Sequence, residues 1–297
     1  MPAEVCSGLI GVRRHRGVGD VMIENAGPAV TATFVGNATV LLRLGGFTLL
    51  TDPNFLTAGQ RAYLGYGLWT RRRTDPALRI DELPPVDGVV LSHLHGDHFD
   101  RLARDGLPKT LPVITTPQAE RRLRRWGFGA AEALRTWESH RTSRGGQVLT
   151  ITAVPGKHGP GPLDRALPTV MGSIIDLEQD GERLTRLYVT GDTLRHAALA
   201  EIPERFPGID AMLIHLGGTR VLGVLLTMDH RQGTELVRLI RPRLTLPIHY
   251  DDYRAFRSPL GDFLDLAERQ GIRPGVRVMG RGETVPLPVA PAPPAPA

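Results

Sequence analysis

Apolar residues early in the chain recur with the short period of β structure. Residues 30–44 (VTATFVGNATVLLRL) are rich in β-branched side chains and predict a strand, a turn or bulge at Gly36-Asn37, and a second strand. Residues 46–53 predict a third strand, ended by Asp52-Pro53. The brief apolar run at 87–92 (DGVVLS) has the pattern of a strand covered on both faces. Between them, 54–86 is basic, scattered with Gly, Tyr and Pro, and predicts a loop. A helix is expected over 117–127, closed at Trp126-Gly127.

The second half repeats the theme. Strands are expected over 147–154, 170–177 and 184–190, a helix over 194–205, and a buried strand over 209–216 before Gly217-Gly218. Asp229 is placed to cap a helix over 230–240 that Pro242 stops. A strand at 244–249, a helix at 259–270 and a last strand at 276–285 follow. Strands therefore precede helices in two rough rounds, and no linker interrupts 30–285. This predicts one α/β domain made of two similar halves. It is preceded by an extension over 1–29 and followed by a Pro/Ala-rich tail over 286–297, expected to be disordered.

Composition changes this picture little. Hydrophobic residues are 41% and charged residues 23% of the 297, an ordinary globular balance. The net charge of +5 comes largely from arginine, in clusters at Arg71-Arg72-Arg73 and at Arg121, Arg122, Arg124 and Arg125. Such clusters are candidates for holding an anion. Cys6 is the single cysteine, which excludes an internal disulfide and a thiolate metal cluster. No stretch approaches the roughly 18 apolar residues that span a bilayer, and the N-terminal residues show no signal-peptide pattern, so the cytoplasm is the expected location.

The chemistry concentrates in Ser92-His93-Leu94-His95-Gly96-Asp97-His98, where three of the ten histidines follow directly on a core strand. In extended chain, residues two apart face the same way, so His93 and His95 can grip one ion while Asp97 and His98 point to a neighbouring position. The alternative, a polar loop with surface histidines, would put many polar groups beside a core strand, where they are costly unless paired. His158, Asp192 and His249 follow the same rule: each is a metal-ligand type at the C-terminal end of an expected strand. Together they complete two sites. His93, His95 and His158 make one, Asp97, His98 and His249 the second, and Asp192 is able to bridge. With nitrogen and oxygen ligands only, zinc is the expected metal and manganese the alternative.

This arrangement resembles the metallo-β-lactamase superfamily, marked by H-x-H-x-D-H and a later His, Asp and His, over about residues 30–285. Within it, the chain is similar to the branch containing N-acyl-phosphatidylethanolamine phospholipase D and L-ascorbate-6-phosphate lactonase. The matching stretches are Gly36-Asn37-Ala38-Thr39, Thr51-Asp52-Pro53, Thr190-Gly191-Asp192-Thr193, Gly217-Gly218, Thr227-Met228-Asp229 and Pro247-Ile248-His249-Tyr250. The resemblance implies a four-layer αββα sandwich, two mixed sheets flanked by helices. It also implies a hydrolase in which a hydroxide held between two metal ions attacks a phosphodiester, a phospholipid-like substrate or a lactone. Asn37 stands where that branch often has His, and His215 where it often has an apolar residue or Pro.

Asp97 is expected to act as ligand and proton acceptor, and Asp52 either to orient a ligand histidine or to serve as a turn residue before Pro53. His230 is the candidate substrate contact or acid among the post-strand residues Lys157, Tyr250, Arg220 and His230, while Asp229 reads as a cap. His215 either lines the pocket or packs. A nuclease of the same fold, and a metal-binding sensor without turnover, are the competing readings. Aromatic residues at 5% give no interleaved basic-aromatic surface, so no nucleic-acid partner is expected, and the partner is a small anionic or ester substrate. The stretch 54–75 mixes Leu, Tyr and Trp with arginine. It could cover the site or touch an anionic membrane surface.

Overall fold

The computed structural model of the protein describes residues 30–290, so the extension over 1–29, Cys6 and the tail beyond 290 lie outside the described residues. Its strands are β1 Val30–Gly36, β2 Thr39–Leu44, β3 Phe47–Thr51, β4 Arg61–Gly65, β5 Leu68–Arg71, β6 Gly88–Val90, β7 Val113–Thr115, β8 Ala131–Ala133 and β9 Ser139–Arg144. Then come β10 Gln147–Pro155, β11 Met171–Gln179, β12 Glu182–Val189, β13 Ala211–His215, β14 Arg220–Val221, β15 Val224–Leu225, β16 Leu244–Ile248 and β17 Thr284–Pro286. The α-helices are α1 Arg101–Gly106, α2 Pro117–Arg125, α3 Glu201–Arg205, α4 His230–Ile240 and α5 Leu260–Arg269.

Two large mixed sheets form, in the orders β17-β1-β2-β3-β6-β7-β8 and β16-β13-β12-β11-β10-β9. Each strand alternates its faces, which builds the layers. Val40, Leu42 and Leu44 of β2 meet Met171, Ile175 and Leu177 of β11 between the sheets, while Leu41 and Ile174 turn outward. Leu41 joins Ala119 and Leu123 of α2, and Ile174 joins Leu236 and Ile240 of α4 and Phe263 of α5. The fold is thus the αββα sandwich of the metallo-β-lactamase type.

Several local expectations are corrected. Residues 54–86 are not a plain loop, because β4 and β5 pair as a hairpin through Gly65-Tyr66-Gly67, all three at positive φ. Its strands have four or five residues and bury only Ala62 and Thr70, so no apolar alternation marks them in the sequence. The strand β9 (SHRTSR) escaped because it is a polar edge strand with no apolar face. The strands β7, β8, β14 and β15 and the helix α1 were also missed; none exceeds six residues, too few to show a period. The helix over 194–205 divides into a 3-10 turn at Ala197–Ala200 and the single turn of α3. The last strand is only Thr284–Pro286, since Gly280-Arg281-Gly282 turns the chain. Beyond it Leu287 is buried and its N–H donates to the Val30 carbonyl, so residues 286–290 lie along the core.

The hairpin is anchored by a buried charge. Arg72 is 1% exposed. Its guanidinium donates to the Asn54 carbonyl at 3.0 Å and the Thr74 carbonyl at 3.0 Å, and pairs with Asp252 Oδ1 at 3.2 Å. Asp252 also accepts from the Asn37 backbone N–H at 2.7 Å and pairs with Arg281 at 3.0 Å. One buried ion network therefore ties the β1–β2 turn, the loop after β3, the hairpin and the loop after β16. Removing one member of a buried pair leaves its partner uncompensated. Arg72→Met is expected to destabilise the protein by about 3 kcal/mol, the low end for such pairs because Arg281 remains. Denaturant unfolding that shifted by less than about 1 kcal/mol would remove the anchoring role.

Candidate metal centre

Strand ends deliver the site. His93 follows β6, His158 follows β10, Asp192 follows β12 and His249 follows β16, all at one end of the sandwich. Local backbone geometry aims them. Gly191 has φ +62°, and a Cβ there would stand 2.8 Å from the Met171 carbonyl oxygen and 3.0 Å from Ser92 Cβ. Only glycine lets Asp192 come this close to the histidine motif. His249 itself sits in the left-handed region at φ 59°, its N–H held by the Asn37 carbonyl at 2.9 Å.

The seven side chains expected as ligands are brought together and are all buried. His95 Nδ1 lies 3.0 Å from His93 Nε2 and 3.2 Å from His158 Nε2. Nitrogens about 2.0–2.1 Å from one tetrahedral ion stand about 3.4 Å apart, close to this spacing. His98 Nε2 lies 3.3 Å from Asp192 Oδ2 and 3.9 Å from Asp97 Oδ2. His249 approaches Asp97 Oδ2 at 3.5 Å through Nε2 and Asp192 Oδ1 at 3.3 Å through Nδ1. Asp192 groups with His93 and His98, between the two sets. His98 Nε2, both His249 ring nitrogens, Asp97 Oδ1 and Asp192 Oδ1 are buried without a hydrogen-bond partner. Orphaned polar atoms at this density fit a bound cation and little else.

Electrostatics agree with the donor set. Burial, and then the neighbouring histidines, push His93 well below its ordinary pKa; burial and His158 push His95 down to about 3. Burial likewise lowers His158, so this trio offers neutral imidazoles. Burial opposes a charge on His98, but Asp192, Asp97 and Asp52 surround it and raise its pKa well above the usual value. Burial alone would raise Asp52, yet His98 and His215 hold it down to about 2.

Behind the ligands lies a supporting layer. Asp52 Oδ2 accepts from Ser92 Oγ at 2.8 Å and sits 2.9 Å from His98 Nδ1, which leaves His98 Nε2 facing the site. Ser92, which the sequence reading passed over, also lies 3.0 Å from His93 Nδ1. His215 packs behind the site, with Nδ1 3.0 Å from Thr190 Oγ1 and Nε2 3.5 Å from Asp52 Oδ2. Asn37 donates its side-chain amide to the Asp97 carbonyl at 2.6 Å and so steadies the motif loop.

His230 is not brought to the cluster. Its N–H donates to Ser258 Oγ at 2.9 Å, at the first turn of α4, whose cap is Asp229 as expected. Lys157, Tyr250 and Arg220 do not line the cavity at the cluster either.

That cavity, of about 480 Å³, has Leu64, Tyr66 and Leu68 of the β4–β5 hairpin on one side and Val221, Leu222 and Val224 of the β14–β15 hairpin on another. Leu163 and Leu167 close a third side; His95, Asp97, His158 and Asp192 lie at its base. No lysine or arginine lines it.

A family described as a β-lactamase superfamily domain matches residues 48–250. The chain belongs to the metallo-β-lactamase superfamily. Among its relatives, a UPF0173 metal-dependent hydrolase of Carboxydothermus hydrogenoformans is 27% identical over 86% of this chain and 99% of its own length. An N-acyl-phosphatidylethanolamine-hydrolyzing phospholipase D of Caenorhabditis elegans is 26% identical over 75% of this chain and 64% of its own length. The fold is shared with a possible metal-dependent hydrolase of Veillonella parvula, with TM-score 0.73 at 24% identity over 87% of this chain and 100% of that one. It is shared too with an isothiocyanate hydrolase from Delia radicum gut bacteria, with TM-score 0.73 at 19% identity over 87% and 99% of the two chains. At this level the superfamily member is a metal-dependent hydrolase with His and Asp clusters able to bind metal. No helix among the described residues is long and apolar enough to cross a membrane.

Asp52 gives a prediction with a defined sign. Its folded pKa of about 2 lies below the ordinary 3.8, so its contribution to stability is full above about pH 4 and is lost as pH falls toward 2. The metal-free protein should lose about 2 kcal/mol through this group over that interval, and Asp52→Asn should flatten that part of the pH profile of denaturant unfolding. At neutral pH the same variant should bind metal roughly 10–100-fold more weakly in competition with a chromophoric chelator.

Proposed function

We propose that the protein is a dinuclear metal-dependent hydrolase acting on a phosphodiester or ester bond that carries an apolar arm. The observation behind this reading is a cluster of seven histidine and aspartate side chains, four of which lie at the base of a cavity whose walls are mainly aliphatic and carry no lysine or arginine. His93, His95 and His158 would hold one ion, Asp97, His98 and His249 the other, and Asp192 would reach both; zinc suits this donor set and manganese is the alternative. Bound there, the ions would supply an acidified water and positive charge for the developing oxyanion.

The chain's own residues do the rest. Asp52 and Ser92 fix the tautomers and orientations of His98 and His93. Asp97 Oδ1, buried and without a partner, is the atom that takes up the proton released at the reacting water. The aliphatic walls seat an apolar arm and exclude bulk water, which strengthens every charge interaction at the cavity base. His230 has no place in this scheme. The Caenorhabditis relative, named for hydrolysing N-acyl-phosphatidylethanolamine, favours a phospholipid-like arm. A compact hydrophilic lactone or an RNA backbone would find no charged or extended polar partner on these walls.

Two outcomes are expected. Chelation should abolish turnover and lower the melting temperature, zinc should restore both, and Asp192→Asn or His95→Ala should lower kcat by at least about a thousandfold. With the metal-loaded protein, kcat/KM on phosphodiesters should rise with each added methylene of one alkyl arm, by up to about fourfold per buried CH₂. A flat series, or turnover confined to RNA or to polar lactones, would defeat this reading.

A further inference from the structure

A second cavity, of about 550 Å³, lies on the other face of the β4–β5 hairpin. The hairpin is a partition. Leu64, Tyr66 and Leu68 face the metal cavity, while Arg61, Tyr63 and Trp69 face the second one. Both cavities reach His95. The partition lies tight on the histidine motif: the Gly96 N–H donates to the Tyr63 carbonyl at 2.8 Å, and a Cβ on Gly96 would stand 2.7 Å from Tyr63 N.

The two cavities differ in charge. Three separate elements send arginines to the second one: Arg61 from β4, Arg101 and Arg104 from α1, and Arg122 and Arg125 from α2. Arg122 and Arg125 are three apart and so share a helix face. Arg104 is paired with Asp105 at 2.7 Å. Arg61, Arg101, Arg122 and Arg125 form no ion pair among the described residues. The one carboxylate lining the cavity, Asp100, is buried and accepts from the N–H groups of Phe55, Leu56 and Ala103. Trp126 supplies a wall, with the Arg122 guanidinium 5.4 Å from its ring centroid, and from the hairpin Trp69 packs at a tilt of 52° on Tyr63, their centroids 4.9 Å apart. Like charges gathered from three elements without counterions repel one another, and an anion relieves that repulsion. Planar guanidinium forks match the oxygens of a phosphoryl group in particular.

We propose that this groove is a binding site for a phosphoryl group, separate from the metal centre. Its arginines offer an anion direct side-chain contacts that the aliphatic walls of the metal cavity lack. The site stands whether or not the metal cavity acts on an apolar-armed ester. A soluble phosphate ester and a phospholipid headgroup offer the same chemistry, and the test separates them.

The test compares the metal-loaded protein with Arg122→Gln/Arg125→Gln, and with Arg238→Gln/Arg241→Gln, which removes the same charge on the far side of the molecule at another cavity. Binding of inorganic phosphate and glycerol phosphate is followed by calorimetry and by the fluorescence of Trp69 and Trp126. Phosphate held at the metals is common to all three proteins, so differences report the groove. Affinity at least tenfold weaker in the groove variant alone supports the site with a soluble ligand. Equal phosphate binding, with sedimentation on phosphatidylglycerol but not phosphatidylcholine vesicles that the groove variant alone loses, supports it with a headgroup. Overturning results are no difference between the wild-type protein and the groove variant in either assay, or equal losses in both variants.

Discussion

Burying ionisable side chains with unsatisfied donor or acceptor atoms costs a fold a great deal, and among the described residues most such atoms gather at one place. Seven histidine and aspartate side chains meet out of water, several with donor or acceptor atoms that no protein group satisfies. A cation bound there would convert that cost into binding energy, and buried contacts around the cluster hold the side chains together. Left-handed backbone at His249 and at Asp52, a glycine before Asp192, and the Arg72–Asp252 network beneath the loops all constrain the donors before any ion arrives. The layered sandwich supplies only the platform. Strands that end together carry the candidate ligands, and the loops that follow them are fixed by buried polar contacts.

Much of this could be read from the chain itself. The H-x-H-x-D-H run and the three later ligand types were legible because each follows an apolar strand, and strand ends are where side chains of distant sequence meet. The Gly36-Asn37 bulge, the Asp229 cap and the helix α4 were equally plain, since their signals are local. Whatever depended on long-range pairing was not. The β4–β5 hairpin carries its pattern on two half-exposed faces of a few residues each, so it read as loop, yet it forms a wall of both cavities. Ser92 carries no signal of its own, and His215 reads in sequence either as a pocket residue or as a packed one, because the contacts that decide their places, with Asp52 and Thr190, reach across the fold. His230, singled out by its neighbours in sequence, stands at the first turn of α4 and does not line the metal cavity.

The arginine clusters show the same division. In sequence Arg71-Arg72-Arg73 and the run at 121–125 look alike. In space Arg72 is a buried structural ion, Arg124 is paired with Glu120, and Arg122 and Arg125 face an open groove with no carboxylate partner. Charge content alone could not sort them, since burial and partners decide what a guanidinium does.

The closing strand has a consequence for how the protein is made. β17 completes the seven-stranded sheet by pairing with β1, and the Thr33–Thr284 contact joins residues 251 positions apart. During synthesis β1 and β2 leave the ribosome long before residue 284 does, so the flank of β1 stays unzipped while most of the polypeptide is still being translated. A nascent chain with such a bare flank is open to mispairing with its neighbours on a polysome. Ribosome-bound chaperones would therefore be of most use to this protein late in elongation, just before that final seam closes.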